Sequence, residues 1–401
     1  MAEILVDPRT APFDTALSIL VTGLPAHESV VLRASTGDHA AEAEFVADER
    51  GVVDLSVHAP IAGSYSGVDP MGLFWSMTPT GERPGPTVVS ADGVGEVVLD
   101  RQTVPAGVRR TEVREGGLVG VLFEPDDEAT HPGVVVLGGS EGGLHELDAA
   151  LLAGHGFAAL ALAYFGHEGV PDDLVEIPLE YVGDAVRWLG ARAGAVGVIG
   201  GSRGGELALL AGATFPEIRA VVSVVGSGVV TQCVGPGHLL LKKLDHEAAS
   251  WTLGGRPVPY LPYSIPDELR AKVVDGDPVP LRLAYDLGDG VPEAAEIPVE
   301  RIAGGVLLLS SGRDGVWPST ELSEVAEDRL TAHDHPHRHE HVVYPEAGHL
   351  IAGPVYRPTT GVTGPGPGVT FSYGGSPEAT AAAREDAWRR AVEFFSDQLD
   401  T

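Results

Sequence analysis

The sequence predicts an α/β fold, with a mostly parallel sheet in the larger, C-terminal part and a small immunoglobulin-like β-sandwich before it. Three observations carry this. From about residue 106 onward, continuous apolar runs such as Gly133-Val134-Val135-Val136-Leu137 alternate with segments of helical spacing. Strands buried on both faces read this way, because helices cover both sides of a parallel sheet. Residues 1 to about 100 instead carry short β-branched runs broken by turn residues, the pattern of a sandwich. Finally, 401 residues exceed what one core usually serves. The expected division is residues 1–105 for the sandwich and 106–401 for the second domain, with a cap-like insertion around 226–300.

In the first part, strands are expected at Leu17 to Val21, Ser29 to Ala34, Glu42 to Phe45 and Val52 to Val57, separated by turns such as Gly23-Leu24-Pro25 and Asp48-Glu49-Arg50-Gly51. In the second, strands are expected at Gly133 to Leu137, Phe157 to Leu162, Ala195 to Gly200, Ala220 to Val225 and Gly305 to Leu309. Helices are expected around Leu147 to His155, Pro178 to Leu189, Glu206 to Ala213 and residues 380–398. The insertion, rich in Pro, Gly and aromatic residues, fits neither rhythm; it is placed to cap the strand ends and shape a pocket.

Composition narrows the function. The chain is 43% hydrophobic and 21% charged, which suits a packed globule. Asp and Glu number 57 against 26 Lys and Arg, a net charge of −31. That sign opposes nucleic acid and anionic membrane surfaces as partners. One cysteine, Cys233, permits no internal disulfide and at most one zinc thiolate; it reads as an inert buried thiol in a reducing, cytoplasmic setting. No secretory signal and no run of membrane-spanning length is read in the sequence. The tract His333 to His341 has metal-like composition but reads as a solvated loop. Neither cofactor nor metal is expected.

The chemistry lies in separated pieces. Gly200-Gly201-Ser202-Arg203-Gly204 matches G-x-S-x-G between an expected strand and an expected helix. There a sharp turn thrusts the serine hydroxyl above the sheet, and the helix N-terminus favours developing negative charge. A serine hydroxyl needs a base. His349, after the short strand Val342-Val343, stands where the chain order Ser, Asp, His expects one. Asp314, on a turn after the strand at 305–309, is the carboxylate that would fix its tautomer. The oxyanion hole is expected from the Arg203 amide and from the amide of Gly139 or Ser140 in the loop Gly138-Gly139-Ser140.

Several segments together resemble the acyl-CoA thioesterase and bile acid-CoA:amino acid N-acyltransferase family, particularly its bacterial members. They are Ala59 to Met77, Gly138 to Leu144, Leu152 to Phe165, Ile177 to Tyr181, Gly201 to Leu210, Trp317-Pro318-Ser319 and Pro345 to Leu350. The resemblance implies a β-sandwich on an α/β-hydrolase domain, Ser202, Asp314 and His349 as nucleophile, acid and base, and an acyl-CoA or similar acyl thioester as the small-molecule substrate. Family members that conjugate acyl groups to amino acids tend to carry cysteine at the nucleophile, so serine leans toward hydrolysis. Transfer of the acyl group to an amine or alcohol, ester or peptide hydrolysis, and simple acyl-ligand binding are the alternatives. Lys242 and Lys243 are candidates for phosphate contact. The tail Asp397 to Thr401 is not the peroxisomal Ser-Lys-Leu ending, and segment 356–371 looks particular to this chain.

Overall fold

The computed structural model describes residues 1–81, 85–288 and 290–399. Among the described residues the N-terminal strands form two sheets. One joins Glu3–Asp7, Ser18–Thr22 and Val53–Asp54; the larger is ordered around Gly95–Gln102, Gly85–Ala91, Ser29–Gly37 and His39–Val46. Their alternating inward residues, among them Ile19, Val21, Leu32, Phe45 and Val53, make one core, as the period of two along a strand requires. The run expected at 52–57 pairs only over Val53–Asp54, because the Asp54 carboxylate takes the Ser56 amide (2.9 Å) and turns the chain.

The second sheet holds eight strands among the described residues: β1 Val108–Val113, β2 Gly120–Pro125, β3 Gly133–Leu137, β4 Ala158–Leu162, β5 Val196–Gly201, β6 Ile218–Val224, β7 Gly305–Ser311 and β8 His339–Tyr344. Their order is β1-β2-β4-β3-β5-β6-β7-β8. β1 and β2 pair antiparallel with their neighbours and the rest run parallel. β3 through β7 are fully or almost fully buried, so both faces of each strand need cover. Val134, Val136, Ile199, Val222 and Leu307 face helices α1 (Glu146–Gly154) and α5 (Pro377–Leu399). Val135, Leu137, Val198, Val221 and Leu308 face α2 (Leu179–Gly190), α3 (Arg203–Thr214) and α4 (Ser319–Ala332). This is an α/β-hydrolase sheet, and its strand C-termini carry the loops that hold the candidate residues.

The insertion after β6 is a set of short elements. Its apolar residues, including Leu240, Leu244, Leu269 and Val279, pack with Val369 and Phe371 of the hairpin Thr363–Gly366 and Val369–Ser372. The histidine tract is not the solvated loop expected of it. His339 and His341 lie in β8, His335 is buried with Nε2 3.1 Å from the Gly304 carbonyl, and His341 Nε2 lies 2.7 Å from Ser310 Oγ. β8 is the last strand of the sheet, paired on one side only, so polar residues are tolerated along it.

Candidate active site

Ser202 stands between β5 and α3 with φ 54° and ψ −120°, a conformation that a non-glycine residue adopts only under strain. The surroundings impose it. The Ser202 amide donates to the Val224 carbonyl (2.8 Å), and its own carbonyl accepts from the Gly205 and Glu206 amides at 2.9 and 3.1 Å. The turn is tight enough that a Cβ on Gly200 would lie 2.1 Å from the Gly204 carbonyl oxygen, and one on Gly204 would lie 2.4 Å from that of Gly138. This is the steric reason for both flanking glycines. Gly204→Ala is therefore expected to lower stability by about 1–3 kcal/mol and to displace the Gly138 loop; denaturant unfolding with a parallel activity assay checks both.

Asp314 and His349 reach Ser202 from the ends of β7 and β8. His349 Nδ1 lies 2.8 Å from Asp314 Oδ2, and His349 Nε2 lies 3.1 Å from Ser202 Oγ. Asp314 is 1% exposed, and its Oδ1 accepts the Val316 and Trp317 amides at 2.8 and 3.3 Å. Both carboxylate oxygens are thereby aimed. The His349 loop is tied down by its amide to the Tyr373 carbonyl (2.9 Å) and by Gly348 N–H to Thr380 Oγ1 (3.0 Å).

The loop after β3 is held by the buried Tyr164 hydroxyl, which donates to the Gly138 carbonyl at 2.6 Å. The Gly139 amide donates to Glu141 Oε1 at 3.2 Å. Glu141 in turn faces His145 Nε2 at 2.8 Å, and His145 Nδ1 lies 3.3 Å from Asp148 Oδ2. Burial would lower the His145 pKa from 6.5, but hydrogen bonds to Asp148 and Glu141 overcome it and raise it to about 10. A raised histidine contributes stability that is fully present below its unfolded pKa and disappears as pH rises through its folded one. Between pH 6.5 and about 10 the wild type should thus lose more thermal stability than His145→Gln, by a few degrees in Tm; melts across that range check this.

A cavity of about 570 Å³ opens at these residues, a size that suits a small-molecule site. Ser202, His349, Gly139 and Glu141 line one part; Val136, Leu152, Ile199, Ile351, Ala387 and Ala391 give it an apolar wall between the sheet, α1 and α5. The insertion around 226–300 contributes no lining among the described residues. It reaches the site from the other side instead, through the Arg203 side chain. That guanidinium is 2% exposed and meets Glu206 Oε2 (3.0 Å), Tyr263 Oη (2.9 Å), the Thr231 hydroxyl and the Gln232 carbonyl. Burial opposes its charge, but Tyr263 and Glu206 hold its pKa above the ordinary value. Trp251 Nε1 donates to Glu206 Oε1 at 2.7 Å and completes the anchor.

The family model described as the C-terminal part of BAAT / acyl-CoA thioester hydrolase matches residues 177–401, and the model of the acyl-CoA thioester hydrolase/BAAT N-terminal region matches residues 14–115. The chain belongs to this family. Acyl-coenzyme A thioesterase 1 of Homo sapiens is 33% identical over 99% of this chain and 97% of its own length. The Rattus norvegicus protein of the same name is 32% identical over 96% and 94%. The peroxisomal succinyl-coenzyme A thioesterase of Mus musculus is 30% identical over 99% and 97%. Among solved structures, a puromycin-hydrolyzing peptidase of Mycobacterium tuberculosis is similar at 15% identity and a TM-score of 0.45, over 96% of this chain and 58% of that one; this is too distant to bear on activity.

Within this acyl-CoA thioester hydrolase/BAAT chain, the structure brings Ser202, Asp314 and His349 together and sets Arg203 at the head of α3. Of the two alternatives in the β3 loop, Gly139 lines the cavity while Ser140 is exposed. Lys242 and Lys243 do not line it; Lys243 Nζ donates to the Gly235 carbonyl at 2.7 Å. Cys233 is buried, and burial pushes its thiol up. Sequence reasoning missed the cavity residues Glu141, His145, Asp148, Arg357 and Arg384 and the His39 contribution from the N-terminal part. Segment 356–371, singled out as particular to the chain, was the available signal for Arg357. No described helix is long and apolar enough to cross a membrane.

Proposed function

We propose that this protein is a serine-dependent acyl-CoA thioesterase that works through an acyl-serine. The observation that carries the reading is the unbroken hydrogen-bond chain from Asp314 through His349 to Ser202 at the mouth of an apolar cavity. With Nδ1–H held by Asp314, His349 Nε2 takes the Ser202 proton as Oγ attacks the thioester carbonyl. The oxyanion forms toward the Arg203 amide and the amide of Gly139 or Ser140; use of Gly139 requires Glu141 Oε1 to turn away from it. The sulfur leaves with a proton from His349, and water activated by His349 releases the acid. Residues 106–401 are read as the catalytic domain and 1–105 as the N-terminal sandwich. The net charge of −31 supports neither nucleic acid nor an anionic membrane as partner, and the lone cysteine suits the cytoplasm.

Thiol release from acyl-CoA, with the acyl product identified by mass spectrometry, tests this. Free acid equal to the thiol released is expected. A conjugate formed in preference to free acid when an amine or alcohol is present would make the protein a transferase, and a faster rate on simple esters of matched chain would make it an esterase. Arg357, exposed and without an ion-pair partner among the described residues, lines the cavity and offers a cation for a CoA phosphate. Arg357→Gln should raise KM for acyl-CoA about 2–5-fold with kcat little changed, and leave acyl-pantetheine, which lacks the nucleotide phosphates, unaffected; steady-state kinetics on the two substrates checks it.

A further inference from the structure

Away from the catalytic residues and from Glu141, His145 and Arg357, the charged side chains on the cavity wall come one each from α1 and α5. On α5, Arg384 is 5% exposed. Its Nε donates to the Leu350 carbonyl (2.8 Å), Nη2 donates to that same carbonyl, and Nη1 to the Arg357 carbonyl (3.2 Å). A guanidinium has five N–H groups, so two remain. No carboxylate among the described residues lies within 4.0 Å of it, and burial, with repulsion from Arg357, draws its pKa down to about 10. Buried charges ordinarily find a partner.

On α1, Asp148 Oδ2 faces His145, but Oδ1 is buried and accepts no hydrogen bond. Gly353 lies opposite and has no side chain: a Cβ there would stand 3.9 Å from Asp148 Oδ1. The wall thus carries an acceptor without a donor and a guanidinium with donors to spare. With Arg357 given to a CoA phosphate, the remaining charges of the wall balance, because Glu141 and Asp148 offset the His145 imidazolium and Arg384. A carboxylate or an ammonium on the ligand would upset that balance. A hydroxyl suits it, since one oxygen both donates and accepts.

Resting on the thioesterase reading for the carbonyl end, we propose that the cavity selects acyl groups bearing a hydroxyl on the chain, the hydroxyl donating to Asp148 Oδ1 and accepting from Arg384. The site is then a specificity determinant, because a pocket built to bond a hydroxyl discriminates against the chain that lacks it.

The experiment compares kcat/KM for acyl-CoAs of one chain length, either plain, hydroxylated at successive carbons, or carrying a terminal carboxylate. At least one hydroxylated isomer is expected to exceed the plain chain about tenfold or more, and Asp148→Leu is expected to abolish that ratio. A plain chain equal to or better than every hydroxylated isomer overturns the proposal, as does a preference for the carboxylated chain. Calorimetric binding of the free acids, plain and hydroxylated, to Ser202→Ala reads the cavity without turnover. A wild type inactive on every thioester would contradict the proposed function, while tighter binding of the hydroxylated acid would still support this inference and equal binding would overturn it.

Discussion

Ser202→Ala is expected to lower kcat/KM for acyl-CoA by about 10⁵-fold or more, measured as thiol release against a no-enzyme control. Removing the nucleophile of a triad costs about that much elsewhere and leaves only binding and oxyanion stabilisation. The loss should come with little change in stability. Ser202 Oγ makes its bond to His349 and the turn itself is held by backbone bonds to Val224, Gly205 and Glu206, which alanine keeps. The positive φ at this position also remains for alanine. A variant that unfolds earlier as well as losing activity would point to a structural task for the hydroxyl. Matched unfolding curves with a collapsed rate identify it as the attacking group.

Asp314→Asn is expected to lower kcat by about 10⁴-fold with KM little affected. The carboxylate accepts three hydrogen bonds: from the Val316 and Trp317 amides through Oδ1, and from His349 through Oδ2. An asparagine carbonyl can keep the two backbone amides. Its NH₂ then faces His349 Nδ1 and stabilises the tautomer whose proton sits on Nε2, where it cannot accept the Ser202 proton. The imidazolium formed during attack also loses its counter-charge in a nearly dry position, since Asp314 is 1% exposed. Steady-state kinetics across pH, with unfolding measured alongside, distinguishes this from misfolding.

The parts of the site legible in the sequence are those fixed by local geometry. The serine turn needs small residues two positions either side, and the clash of any Cβ on Gly200 or Gly204 shows why. The strands that carry Ser202 and Asp314 are long apolar runs, so their C-terminal loops could be located to within a residue or two. β8 was harder. His-Glu-His-Val-Val-Tyr belongs to an edge strand and lacks an apolar run, so only Val342-Val343 read as strand and the histidines before it read as loop. The cavity wall was not legible at all. Asp148, Gly353 and Arg384 come from three distant segments and meet only because α1 and α5 pack on the same sheet face. The Arg203 side chain was likewise hidden, because its partners Thr231, Gln232 and Tyr263 lie in an insertion with no periodicity. That insertion was expected to shape the pocket, and in the structure it secures the nucleophile's helix from the opposite side.

The central claim is that thioester cleavage passes through Ser202 alone. Titration with a fluorophosphonate, followed by peptide mapping and acyl-CoA assays on the same samples, tests it most directly. One label per chain, on Ser202, with thioesterase activity falling in proportion, is the predicted result. A label on another residue, or full labelling of Ser202 with thioesterase activity intact, would contradict it.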